Sequence, residues 1–142
     1  MLPLPHAFAV RFGRGLELIG AEWPGSASPG TIAVVQLRWR CLALLPRPYT
    51  IFVHGLDGQG RLVFQKDEQP DGGRLPTTDW VVGQVVTIVL RVAIPPHLVA
   101  GKYALTTGWY EGSTGKRLLV SDGHSEVHLG MIKVSVVPRR GT

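Results

Sequence analysis

The stretch "TIAVVQLRWRC", residues 31–41, decides the fold class. Ala33, Val35, Leu37 and Trp39 share one parity, while Gln36, Arg38 and Arg40 share the other. A strand turns successive side chains to opposite faces, so this alternation describes a strand with one face in a core and one in water. A helix would need apolar residues every three to four positions, and no segment keeps that spacing convincingly.

Working outward, "GLELIGAEWPGSASPG" offers an earlier strand over 16–21, closed by Pro, Gly and Ser that cannot continue it. On the other side, "YTIFVHGLD" and "RLVFQKDEQ" form a hairpin pair about "DGQG". Glycine adopts the positive φ that such turns need, so Gly58 and Gly60 are turn residues. In "VVTIVLRVAI", Val86, Ile88, Leu90, Val92 and Ile94 share a face, and the following prolines end the strand because they cannot donate to a ladder. "KYALTTGWY" and "GKRLLVS" read as a second hairpin around "EGSTG", with "LGMIKVSVV" as the last strand. The expected fold is all-β: an immunoglobulin-like, two-sheet antiparallel β-sandwich of about seven to nine strands. Residues 1–15 form a lead, 16–137 the sandwich and 138–142 a tail. "DEQPDGGRLPTTDW" is the longest unpatterned loop, a crossover between sheets or a mobile rim.

Composition agrees. A chain of 142 residues with 18 Gly, 11 Pro and abundant Val, Leu and Thr favours short strands joined by tight turns, and is long enough for its own core. Its single cysteine, Cys41, cannot make an internal disulfide and reads as a small buried residue. The formal charge of +5 is spread along the chain without a basic arm, which argues against nucleic-acid binding. No apolar run approaches the ~20 residues needed to span a bilayer, so no direct membrane insertion is expected.

The polar motifs give no reaction. Asp57 has only Gln59 nearby before Arg61, too few oxygen ligands for a calcium loop. His54 shares the parity of Phe52 and Leu56 and reads as a hydrogen-bonded interface histidine, with no nucleophile paired to it. In "HSEVH", an extended backbone would hold His124 and His128 roughly 13 Å apart, too far for a common zinc ion. "GSTGKR" lacks the spacing of a phosphate loop, and Ser26 and Ser28 lack a nucleophile's strand–turn–helix setting. A glycosidase would need two carboxylates converging in one cleft, which sequence does not locate. No catalytic residue, cofactor or metal is assigned.

Aromatics remain. Trp39, Tyr103 and Trp109 have core parity, whereas Trp23 and Trp80 adjoin loops and Tyr110 opposes Trp109 in parity. An aromatic ring beside Asp79 or Glu111 could stack on a sugar, which makes Trp23, Asp79, Trp80, Tyr110 and Glu111 the ligand-contact candidates. The competing reading, that loop tryptophans cap the ends of the sandwich, is favoured because large aromatics contribute most through buried area.

The segments "PGTIAVVQLRWRCL", "YTIFVHGLDGQGRLVFQKDEQP", "GGRLPTTDW", "IPPHLVAGKYALTTGWYEGSTGKRL" and "LGMIKV" carry a resemblance over most of the chain from about residue 16. Together they resemble the extracytoplasmic C-terminal β-sandwich domain of bacterial, Chloroflexi-type membrane glycosyltransferases similar to protein mannosyltransferases. The resemblance implies a non-catalytic accessory module, extracytoplasmic where its parent is membrane-anchored, with a glycosyltransferase region in cis and glycan as partners. It implies no catalytic residue here, since the family's chemistry belongs to a separate membrane portion. Gly55 departs from the bulky apolar residue usual at its position, which points to a bulge or close backbone approach. Two alternatives stay open: a protein-interaction or structural domain, such as an edge-pairing or inhibitor-like sandwich, and a glycan hydrolase.

Overall fold

The computed structural model describes residues 2–136. The predicted tail, 138–142, lies outside the described residues. In chain order the strands are β1 (His6–Phe12), β2 (Leu16–Glu22), β3 (Ser26–Ala27), β4 (Ile32–Cys41), β5 (Tyr49–Leu56), β6 (Leu62–Glu68), β7 (Val85–Ala93), β8 (Gly101–Glu111) and β9 (Val127–Val134). They form an immunoglobulin-like sandwich of a four-stranded sheet, β1-β2-β4-β7, and a five-stranded sheet, β3-β9-β8-β5-β6. All neighbours are antiparallel except β3, whose two residues run parallel to β9.

The alternation that predicts β4 is the alternation that builds the core. Ala33, Val35, Leu37, Trp39 and Cys41 point inward from β4, and Val86, Ile88, Leu90 and Val92 from β7. From the other sheet come Ile51, Val53, Phe64, Leu105 and Trp109. Trp39 meets Trp109 edge-on at 5.1 Å, joining the sheets at the centre. Each fully buried Leu, Ile or Phe contributes about 1.5–3 kcal/mol, whereas an exposed ion pair such as Arg74–Asp71 contributes about 0–1. Burial between the sheets therefore holds the fold.

The turn after β5 answers the question raised by its acid. Asp57 Oδ1 accepts the backbone N–H groups of Gln59 and Arg61, both at 2.9 Å, and Oδ2 accepts Arg61 Nε at 2.8 Å. The carboxylate is committed to its own turn. Of the two glycines only Gly60 has positive φ, at 76°. The long unpatterned loop is a crossover from β6 in one sheet to β7 in the other, and it carries two 3-10 turns, Pro70–Gly73 and Thr77–Asp79.

Three elements differ from the sequence reading. Much of the expected lead is β1, which pairs with β2; its Phe8, Val10 and Phe12 keep period two, but the nearby prolines disguise it. "GKRLLVS" makes no strand. Arg117 bridges to Tyr110 on β8, Leu118 donates to Trp109 O at 2.9 Å, and Val120 bridges to Phe12 on β1. The segment passes from β8 to the end of β1 within five residues, too short a stay on either for a ladder to build, and becomes a strap across the open end. Finally, β3 supplies a short edge inside the Pro, Gly and Ser loop.

Candidate functional site

The outer face of the five-stranded sheet gathers most of the chain's unassigned polar groups. Cross-strand register sets His54 opposite Gln65 and Thr106, and Phe52 opposite Asp67 and Gly108. Thr106 is in turn opposite His128 on β9. Because parity alternates, these residues share the face that the core does not use. Phe52 is nonetheless only 1% exposed, since the strap and the chain after it lie across it. Arg117 Cζ stands 4.7 Å over the Phe52 ring, and the Phe52 and His54 rings are 4.2 Å apart. Gly108 makes this covering possible: a Cβ there would stand 2.5 Å from Phe52 Cζ and 2.8 Å from the Ser125 carbonyl oxygen.

Glu126 organises the polar centre. Its Oε2 accepts the Thr106 hydroxyl at 3.0 Å and stands 3.7 Å from His54 Nδ1 and 4.0 Å from Arg117 Nη1. Arg117 also donates to Ser125 Oγ at 3.2 Å. The His54 imidazole is held below its ordinary pKa, first by burial and then by the Arg117 charge, against weaker upward pulls from Glu126 and Asp67. At one border Tyr110 donates its hydroxyl to Asp67 Oδ2 at 2.8 Å. Burial, followed by that hydrogen bond and the Asp67 charge, pushes the phenol upward, so Tyr110 stays protonated as a donor.

Glu126 also lines a depression of about 540 Å³ beside β1, with Arg11, Asp122, His124 and His128. Asp122 Oδ1 accepts the His124 backbone N–H at 2.9 Å and lies 3.0 Å from His124 Nδ1. This Asp–His pair resembles part of a hydrolase triad in composition alone. It is a surface turn, with the two side chains 67% and 77% exposed, and among the described residues no serine hydroxyl bonds to the imidazole. Nor do three His, Cys, Asp or Glu side chains gather closely enough there to hold a metal ion, among the described residues.

The five sequence candidates do not converge. Tyr110 alone joins the face just described, partly exposed beside Asp67. Glu111, the next residue, lies 3.4 Å from Arg47 and accepts Ser113 Oγ. Asp79 is exposed on the crossover. Trp80 is 1% exposed, donates to Leu75 O at 3.1 Å and meets Trp109 edge-on, so it caps the core and offers no free ring face. Trp23 stacks on His6 with centroids 4.0 Å apart, lies against Gly130 and donates to Met131 O. Sequence reading does not assemble the set Phe52, Asp67, Arg117 and Glu126. The available signal is that Phe52, His54 and Leu56 share a parity opposite to the core positions Ile51 and Val53.

No protein-family model matches the chain, and comparison with characterised proteins gives no match. Solved structures do. The C-terminal domain of Wzt is 12% identical, with the alignment covering 94% of this chain and 81% of that one at a TM-score of 0.56. The CARDB domain of the PF1109 protein from Pyrococcus furiosus, solved in complex with di-metal ions, is 9% identical, with 92% of each chain covered and a TM-score of 0.49. Both are β-sandwich domains, and the likeness is one of fold.

Proposed function

We propose that this sandwich is a non-catalytic accessory module that contacts glycan through the outer face of the five-stranded sheet and the depression beside β1. The observation that carries the reading is the lining of that depression: Arg11, Asp122, His124, Glu126 and His128 surround one open space. Guanidinium donates, carboxylate accepts and imidazole does either, a mixture suited to the hydroxyls of a sugar, while Val10, Val120 and Val127 in the same lining add apolar surface for its C–H faces. Tyr110 with Asp67 extends the surface with an aromatic edge and an oriented hydroxyl. The resemblance to glycosyltransferase-associated sandwiches supports a membrane glycosyltransferase as the cis partner, with the module outside the cytoplasm.

The histidines give the test its readout, because Trp39, Trp80 and Trp109 are buried and would report a surface ligand weakly. Neutral and acidic oligosaccharides and polyprenyl-linked sugars are titrated while the imidazole proton resonances are followed by NMR. Saturable shifts of His124 and His128 are expected, diminished by Glu126→Gln and Arg11→Ala. Flat resonances across the whole panel would sink the reading.

A further inference from the structure

We propose that the outer face of the five-stranded sheet, at the end where β9 finishes, rests on an anionic membrane surface. The inference does not rest on the glycan reading, since none of its residues lines the depression beside β1. Register sets Leu62 against Leu56, Leu56 against Ala104 and Ala104 against Met131, one apolar row across four adjoining strands. Leu56 and Ala104 share the parity of His54 and Thr106, so the row faces away from the core. Its two ends, Leu62 and Met131, are 48% and 46% exposed. Single exposed aliphatic residues are ordinary, whereas a contiguous row rimmed by charge marks a contact surface.

The rim is Lys102 directly opposite Lys133, both exposed, in the next row out. Like charges facing each other across a sheet are destabilising. Among the described residues neither lysine has an ion-pair partner. Asp57, which follows Leu56, is committed to its own turn and to Arg61. Asp67 and Glu126 stand toward the other end of the face, engaged by Tyr110 and by Thr106. The sheet thus opposes two ammonium groups and sets no free carboxylate beside them. A local rule broken without internal compensation points to function.

Charge and apolarity together select the occupant. A soluble anion would answer the lysines and leave Leu62 and Met131 in water. An apolar protein surface would cover the row and bury the lysines unpaired. The boundary of an anionic bilayer offers phosphate to the ammonium groups and acyl chain to the row beside them, with the lysine stems reaching from one to the other. Val99, two residues before β8, and Val136, two after β9, are exposed just beyond the Gly101–Val134 pair and extend the apolar surface around the same end. The module lies on the bilayer and does not cross it.

Flotation of the 142-residue chain with sugar-free vesicles tests this, using phosphatidylcholine alone and phosphatidylcholine with phosphatidylglycerol in equal parts. Wild type should float with the anionic vesicles, stay behind with the neutral ones and detach as salt is raised. Lys133→Glu should weaken binding at least about tenfold. Its urea midpoint should stay level or rise, because a repulsive cross-strand pair becomes an attractive one. That divergence separates lost contact from lost fold. Leu62→Ser combined with Met131→Ser should weaken binding as well, at unchanged charge. A wild-type chain that ignores anionic vesicles, or a Lys133→Glu chain that floats like wild type, overturns the proposal. Undiminished flotation of the double serine variant would make the face a site for anions alone and overturn the bilayer as its occupant.

Discussion

Gly55 shows how much one missing Cβ can decide. It pairs directly with Phe64 across β5 and β6, and a Cβ on Gly55 would clash with Cζ, Cε1 and Cε2 of the Phe64 ring. The register slips at the next pair, Leu56 with Leu62. The sequence expectation of a bulge or close approach is met by both at once. Gly55→Ala should cost about 1–3 kcal/mol by forcing Phe64 off its place, read as a lower urea midpoint, and Phe64→Ala in the same chain should erase most of the additional loss. One strand position away, His54 carries a pH dependence whose sign follows from its lowered pKa. The unfolded imidazole takes a proton near pH 6.5 while the folded one resists, so between these two pKa values the unfolded state binds more protons. Its contribution is complete above about pH 6.5 and is lost as pH falls toward the folded value. The urea midpoint of wild type should fall on acidification more steeply than that of His54→Gln. Arg117→Ala should move the His54 titration upward by NMR; an unchanged or lower titration would contradict the charge assignment.

At the scale of elements, the strands were legible because their period is two, and the connectors were not because their partners are distant. β4 and β7 follow from alternation alone, since one face of each is wet and the other meets the opposite sheet, whereas β5 and β8, buried on both faces over most of their length, are read from the turns that end them. The strap over Phe52 has the same apolar residues as a strand, yet its first half bonds to β8 and its second half to the end of β1, a fact of tertiary geometry that no local pattern holds. The candidate site was missed for the same reason: His54, Glu126 and Arg117 come from three separate segments. The crossover offers a sharper test of what a connector can depend on. Thr77 is fully buried there, its hydroxyl accepting Tyr49 N–H at 2.9 Å and donating to Arg47 O at 3.0 Å. Thr77→Val keeps the shape and removes both bonds, leaving a donor and an acceptor at the mouth of β5. The expected loss is about 1–3 kcal/mol by chemical denaturation, and Thr77→Ser, which keeps the hydroxyl, should lose less.

The molecule as a whole has one core rather than two. Phe12 packs edge-on to Trp39 at 5.3 Å, Trp39 to Trp109 at 5.1 Å and Trp80 to Trp109 at 5.9 Å, a chain of rings that runs from β1 through both sheets to the crossover. No sheet can leave without exposing the other, so unfolding should be a single cooperative event. Cys41 makes this measurable. Its thiol is fully buried, lies 3.2 Å from Ala43 O and has its pKa pushed upward by burial, so it is doubly protected from a thiolate-directed reagent. Alkylation in native buffer should be slow, and in urea it should accelerate at the midpoint given by tryptophan fluorescence. Reaction at denaturant concentrations well below that midpoint would mean that the end of β4 opens separately, as a local unit of lower stability. Coincident midpoints would tie β4, the tryptophan chain and both sheets into one transition.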